Sequence, residues 1–159
     1  MRTICGIVAV VATLALAAGL FAADDKKHAT HTTTADTGQH AELEKCIKAC
    51  TDCAKECESC FNYCTEMVAK GEKMHATTVR TCNDCGELCS VAAKLMSRHG
   101  PFMVPACEAC IKACDGCGKE CDKHGSHDQK MAKCAKACKD CAQACRDMVK
   151  MSGGHVTQK

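Results

Sequence analysis

The sequence predicts an all-α fold, an antiparallel up-down four-helix bundle with a cysteine-lined core. Three observations predict it: cysteines recur at steps of three and four, they do so in four separate segments, and glycine or proline breaks stand between those segments. A residue type that repeats every 3.5 positions draws one stripe along an α-helix. Short connections then force sequential helices to run antiparallel.

Composition says what the stripe must replace. Of 159 residues 19 are Cys, beside no Trp, one Tyr and three Phe. From Asp24 onward Leu, Ile, Val and Phe number 13 in 136 residues, about 10%, where below roughly 20% a chain struggles to bury a core. Disulfides or metal must supply what the missing aliphatics do not. With 25% charged residues and a net charge of +2, the chain is neither a nucleic-acid binder nor an acidic tail protein.

Residues 1–23 read as a secretory signal peptide. Met1-Arg2 leads into an apolar run from Ile4 to Leu20, and Phe21-Ala22-Ala23 precedes the polar Asp24-Asp25-Lys26-Lys27. Export to a periplasmic or extracytoplasmic compartment is the expectation, with no membrane contact after cleavage. Cys5 would leave with the leader, so eighteen cysteines belong to the mature chain. Residues 24–40, rich in Thr and His and without periodicity, read as a flexible lead-in whose His28, His31 and His40 are solvated. The bundle is expected over residues 41–152, followed by a disordered tail, 153–159.

The first helix, about 41–70, carries Cys46, Cys50, Cys53, Cys57, Cys60 and Cys64, and Lys70-Gly71 suits its end, with Gly at the C′ position. The second, about 73–98, carries Cys82, Cys85 and Cys89, and His99-Gly100-Pro101 stops it. Pro105 fits the first turn of the third, about 104–123, which carries Cys107, Cys110, Cys114, Cys117 and Cys121. Gly116 and Gly118 weaken that helix by roughly 1 kcal/mol each relative to Ala. Gly125 reads as a stop, Ser126 to Gln129 as a capping box, and the fourth helix, about 127–151, carries Cys134, Cys138, Cys141 and Cys145. Lysines, aspartates and glutamates between the cysteines are solvated faces.

The spacing narrows the chemistry. A disulfide-stabilised exported structural protein is the first alternative, but thiols at i and i+4 of one helix lie nearly parallel, at the far end of the Cα separations a disulfide spans. Six Cys-x-x-Cys pairs stand on the four segments. A thiol oxidoreductase would need one activated thiol on a βα unit, and no strand-like segment exists. No catalytic residue is expected, and the chain is not read as an enzyme. Thiolates are soft ligands that select Cu(I), zinc or iron and sulfide. Closed zinc sites take four thiolates each and leave a double negative charge, severe to bury. Cu(I) bridged by thiolates, about one ion per core cysteine, leaves the lumen neutral. A thiol-based zinc or redox protein stays the other alternative.

Extended past the terminal cysteines, the seam register reaches further soft ligands. One bundle end would collect Met67, Met74, His75, His124, His127 and Met131; the other would collect Met96, His99, Met103, Met148 and His155. Thioethers and imidazoles exchange Cu(I) readily and suit a mouth. Their plainer roles are adaptable packing and interaction with the helix dipole.

The ladders CIKACTDCAKECESCFNYC, CNDCGELC, CEACIKACDGCGKEC and CAKACKDCAQAC resemble the bacterial copper storage proteins, four-helix, cysteine-rich copper binders. The resemblance covers about residues 41–151 and implies many Cu(I) ions held by the eighteen cysteines, Met and His near an opening, and a homotetramer. Copper ions, copper-requiring enzymes and copper chaperones are the partners it admits; nucleic acid is not among them.

Overall fold

The computed structural model describes residues 34–153. The expected leader, most of the lead-in and the tail, with His28, His31 and His155, lie outside the described residues. Four helices follow in order: α1 Thr34–Ala69, α2 Ala76–Ser97, α3 Met103–Asp122 and α4 Gln129–Met151. A single 3-10 turn, Lys73–His75, leads into α2. Among the described residues there is no strand, and no helix is long and apolar enough to cross a membrane.

Each helix packs against its two sequence-cyclic neighbours, α1 on α2 and α4, α3 on α2 and α4, so the four form a square. All eighteen cysteines of these helices are buried, at 1% exposure or less. They share the interior with Ala92, Ala93, Ala135, Ala142 and Ala144 and with only a few larger side chains, among them Leu43, Ile111 and Val149. The outer faces carry exposed ion pairs such as Lys48 with Asp52 and Lys139 with Asp122, which contribute little to stability.

Helix ends explain the turns. After α1 the Glu72 amide donates to the Met67 carbonyl and the Gly71 amide to that of Val68, both at 3.0 Å, with Gly71 at φ +98°. That is a Schellman motif with glycine in the left-handed position. After α2 the same motif recurs, Gly100 to Leu95 and His99 to Met96 at 2.9 Å each, but the left-handed residue is His99, at φ 49°. The expected stop at His99-Gly100-Pro101 therefore holds with the glycine one place later than the strained residue.

Two boundaries differ from the sequence reading. Helix α1 starts at Thr34, so residues 34–40 of the expected lead-in are helical. Helix α4 starts at Gln129 and its cap is Asp128, whose carboxylate accepts from the amides of Lys130 at 2.8 Å and Met131 at 3.2 Å. Asp128 is extended, at φ −132° and ψ 108°, the geometry a cap requires, so Ser126 makes no capping box.

Candidate metal centre

Every cysteine of the four stripes faces the same axis, because steps of three and four keep a residue on one side of a helix. The eighteen are free thiols. They approach across neighbouring helices, as Cys50 and Cys145 at 3.5 Å, Cys89 and Cys110 at 3.5 Å, and Cys82 and Cys117 at 3.6 Å. They also meet across the diagonals: Cys53 lies 3.9 Å from Cys114, and Cys82 3.9 Å from Cys134. Sulfur therefore fills the centre of the square.

The thiols form a file of four-sulfur groups, the Sγ atoms of each group within 4.8 Å of one another. From the Cys46 end these are Cys50, Cys110, Cys141 and Cys145; then Cys53, Cys89, Cys114 and Cys141; then Cys53, Cys57, Cys85 and Cys138. The file continues through Cys57, Cys117, Cys134 and Cys138 to Cys60, Cys82, Cys121 and Cys134. Each group shares at least one thiol with the next. A shared thiolate can bridge two soft cations, so the file is a continuous ladder of ligands.

The electrostatics are those of one coupled network. Cys53, hydrogen-bonded first with Cys114 and then with Cys138, is held far below the usual thiol range, and Cys117 is held low first by Cys121. Cys57 is pushed far above it, first by Cys117 and then by Cys134, and Cys138 first by Cys114. One thiol can ionise while its neighbours keep their protons and donate to it. Ionising all of them without a cation would pack like charges into a buried core.

The two ends differ from each other. At one, the His75 and His124 rings meet at a 47° tilt with centroids 5.1 Å apart. His75 is buried, its Nε2 is 3.4 Å from a Glu72 carboxylate oxygen, and its Nδ1 has no partner. The Thr78 hydroxyl, one turn before Cys82 in the seam, is also buried and unpartnered. Met131 is fully buried and Met67 half-buried, but Met74 at 63% exposure and His127 turn to solvent, so the structure does not bring those two into the site.

At the other end Gln39, His40, Leu43, His99, Met103, Met148, Met151 and Ser152 line a pocket of about 240 Å³. Beneath it Cys107 donates to the Met96 sulfur at 3.6 Å, joining thioether to thiol ladder. His40 and Met151 are additions to the sequence reading. The seam register signals the first of them: stepping back from Cys46 by three reaches Leu43, and by three more reaches His40.

Residues 39–150 match the family model of the copper storage proteins. The chain is similar to a cytosolic copper storage protein from Streptomyces lividans carrying five coppers, at 28% identity and TM-score 0.66 over 72% of this chain and 97% of that one. It is similar to the Cu(I)-bound copper storage protein BsCsp3, at 39% identity and TM-score 0.60 over 67% and 97%. It is 42% identical over 68 residues to the uncharacterized cysteine-rich protein YhjQ of Bacillus subtilis strain 168, 42% of this chain and 60% of that relative. The exported, periplasmic location expected from residues 1–23 is corrected by these findings. The Streptomyces protein is described as cytosolic, which conflicts with an exported location.

Proposed function

The chain belongs to the copper storage protein family, and on that premise we propose that its lumen stores Cu(I) on the eighteen buried cysteine thiolates, without catalytic turnover. The observation that carries the reading is the unbroken file of four-thiol groups with shared members. It offers an ion in each group several soft ligands and lets the shared thiolates, Cys53, Cys57, Cys134, Cys138 and Cys141, bridge two ions, which suits Cu(I) and which isolated zinc sites do not need. Loading to about one copper per cysteine leaves the core uncharged. All eighteen thiols are unpaired, so the disulfide-stabilised alternative is not favoured.

Copper is captured at the bundle ends by weaker ligands and passed inward between thiols. The His75 and His124 pair, with its unpartnered Nδ1, is the better-formed capture point of one end; Met103, Met148 and His99 serve the other, above Met96. Met67 and Met131 line the first end, whereas Met74 and His127 serve only as exposed outer ligands. A homotetramer, and copper-requiring enzymes or chaperones as exchange partners, complete the reading.

Anaerobic titration of the reduced protein with Cu(I), against a chromophoric chelator, tests it. Binding of well over ten coppers is expected, on the basis of eighteen thiolates at about one ion each. Saturation at one or two coppers would sink the storage function.

A further inference from the structure

The centre of the thiol file carries a feature beyond its ligands. Helices α2 and α3 share the pattern Cys-x-x-Cys-Gly-x-x-Cys, at Cys82 to Cys89 and at Cys114 to Cys121. Helices α1 and α4 share Cys-Ala-Lys-x-Cys, at Cys53 to Cys57 and at Cys134 to Cys138. The fold sets each glycine against one of the facing patterns. A Cβ on Gly86 would stand 3.5 Å from the Cys57 Cβ and 3.7 Å from the Ala54 carbonyl. A Cβ on Gly118 would stand 3.2 Å from the Cys138 Cβ and 3.6 Å from the Ala135 carbonyl. The same packing thus occurs twice, once in each helical hairpin.

The cysteine just before each glycine, Cys85 or Cys117, joins the two cysteines it faces in one four-thiol group. The first group is Cys53, Cys57 and Cys85 with Cys138; the second is Cys134, Cys138 and Cys117 with Cys57. The other successive groups named above share one thiol each. These two share a pair, Cys57 and Cys138, whose sulfurs are 4.0 Å apart. The shared pair consists of the two cysteines against which the glycines pack.

We propose that this twin group is a distinct copper site, the first-filled cluster of the lumen, bridged by Cys57 and Cys138 and held to size by Gly118 as a positioning residue. The inference rests on the Cu(I) storage reading. Two ions in groups that share an edge are held by two common thiolates, so dissociation of either breaks bonds to ligands the other keeps in place. Singly shared groups lack that mutual hold. The glycine matters most at Gly118, where an added Cβ would stand 3.2 Å from the Cys138 Cβ and force α3 and α4 apart by a few tenths of an ångström; at Gly86 an added Cβ would make only ordinary contacts.

The test compares Gly118→Ala with Gly116→Ala, the same substitution two residues away on the same helix. Gly116 is exposed, with nothing within 4 Å of an added Cβ. In anaerobic chelator competition with the full reduced chain and Cu(I), Gly118→Ala should hold its tightest coppers about ten-fold more weakly, because overpacking must shift the Cys138 backbone. The emission of clustered Cu(I) thiolate should also begin later in its titration. Gly116→Ala should match the parent protein in both readouts, and Gly86→Ala, whose added Cβ makes only ordinary contacts, should lie close to it. Identical emission onset and affinity in Gly118→Ala and Gly116→Ala would overturn the proposal. Should circular dichroism show that Gly118→Ala has lost its helices, the near-isosteric Cys57→Ser/Cys138→Ser variant decides. It should delay emission more than Cys85→Ser/Cys117→Ser does, and equal onsets would overturn the proposal. A parent protein that takes only one or two coppers would instead refute storage itself.

Discussion

Copper should act as the missing core, and its removal should cost most of the stability of the fold. The largest fully buried side chains are Met96, Met131, Val149 and Thr78, and below them come thiols. Three four-thiol groups have no member in common: Cys50, Cys110, Cys141 and Cys145; Cys53, Cys57, Cys85 and Cys138; and Cys60, Cys82, Cys121 and Cys134. One copper in each, at free copper a hundred times its dissociation constant, contributes about 2.7 kcal/mol per site, or about 8 kcal/mol together. That is comparable with the whole stability of an ordinary domain, about 5 to 15 kcal/mol. For a chain of this size each kcal/mol moves Tm by roughly 3–5 °C, so the rise on loading should be on the order of 30 °C. Anaerobic thermal unfolding, followed by far-ultraviolet circular dichroism in steps of added Cu(I), measures it. A Tm that stays within a few degrees of the apo value, or stops rising after the first equivalent, would refute the claim that ligands replace aliphatic packing.

Two smaller predictions follow from the site and its framework. Each copper must displace about one thiol proton, so apparent affinity should fall about ten-fold per pH unit as the solution is acidified, and a pH-stat should record about one proton released per copper. Cys57 and Cys138, whose pKa values are raised first by Cys117 and Cys114 respectively, should be protonated in the apo form and sharpen that dependence. Asp128→Ala removes the cap on the Lys130 and Met131 amides and should lower apo Tm by roughly 3–5 °C, the equivalent of about 1 kcal/mol. Loss of the same few degrees from Ser126→Ala instead would show that the cap is misassigned.

The stripes made the helices legible. Steps of three and four from Cys46 to Cys145 give four elements, their inward faces and their antiparallel order, because a helix has one face per 3.6 residues whatever its neighbours do. Signals that depend on which of two adjacent groups wins were less legible. Ser126 and Gln129 satisfied a capping pattern, but Asp128 sits one residue before the helix and reaches two amides at once. Residues 34–40 carried no cysteine to mark a phase, so the start of α1 passed for lead-in and His40 for a solvated residue. The register that places Leu43 inward places His40 at the pocket as well. Gly118 illustrates the deeper limit. Locally it is a helix-weakening residue, and only the position of Cys138, twenty residues on in the chain, shows what its missing side chain makes room for.

The diagonals of the square are joined by sulfur and by almost nothing else. In most bundles opposed helices are keyed together by interlocking aliphatic side chains, so that changing the lining changes the fold. Here the backbone contacts run between neighbouring helices around the perimeter, so a single lining position can change without disturbing them. Serine or alanine in place of one cysteine differs little in volume. Capacity can therefore drift by single ligands, up or down, while the scaffold stays the same. Such a molecule separates the inheritance of its shape from the inheritance of its cargo.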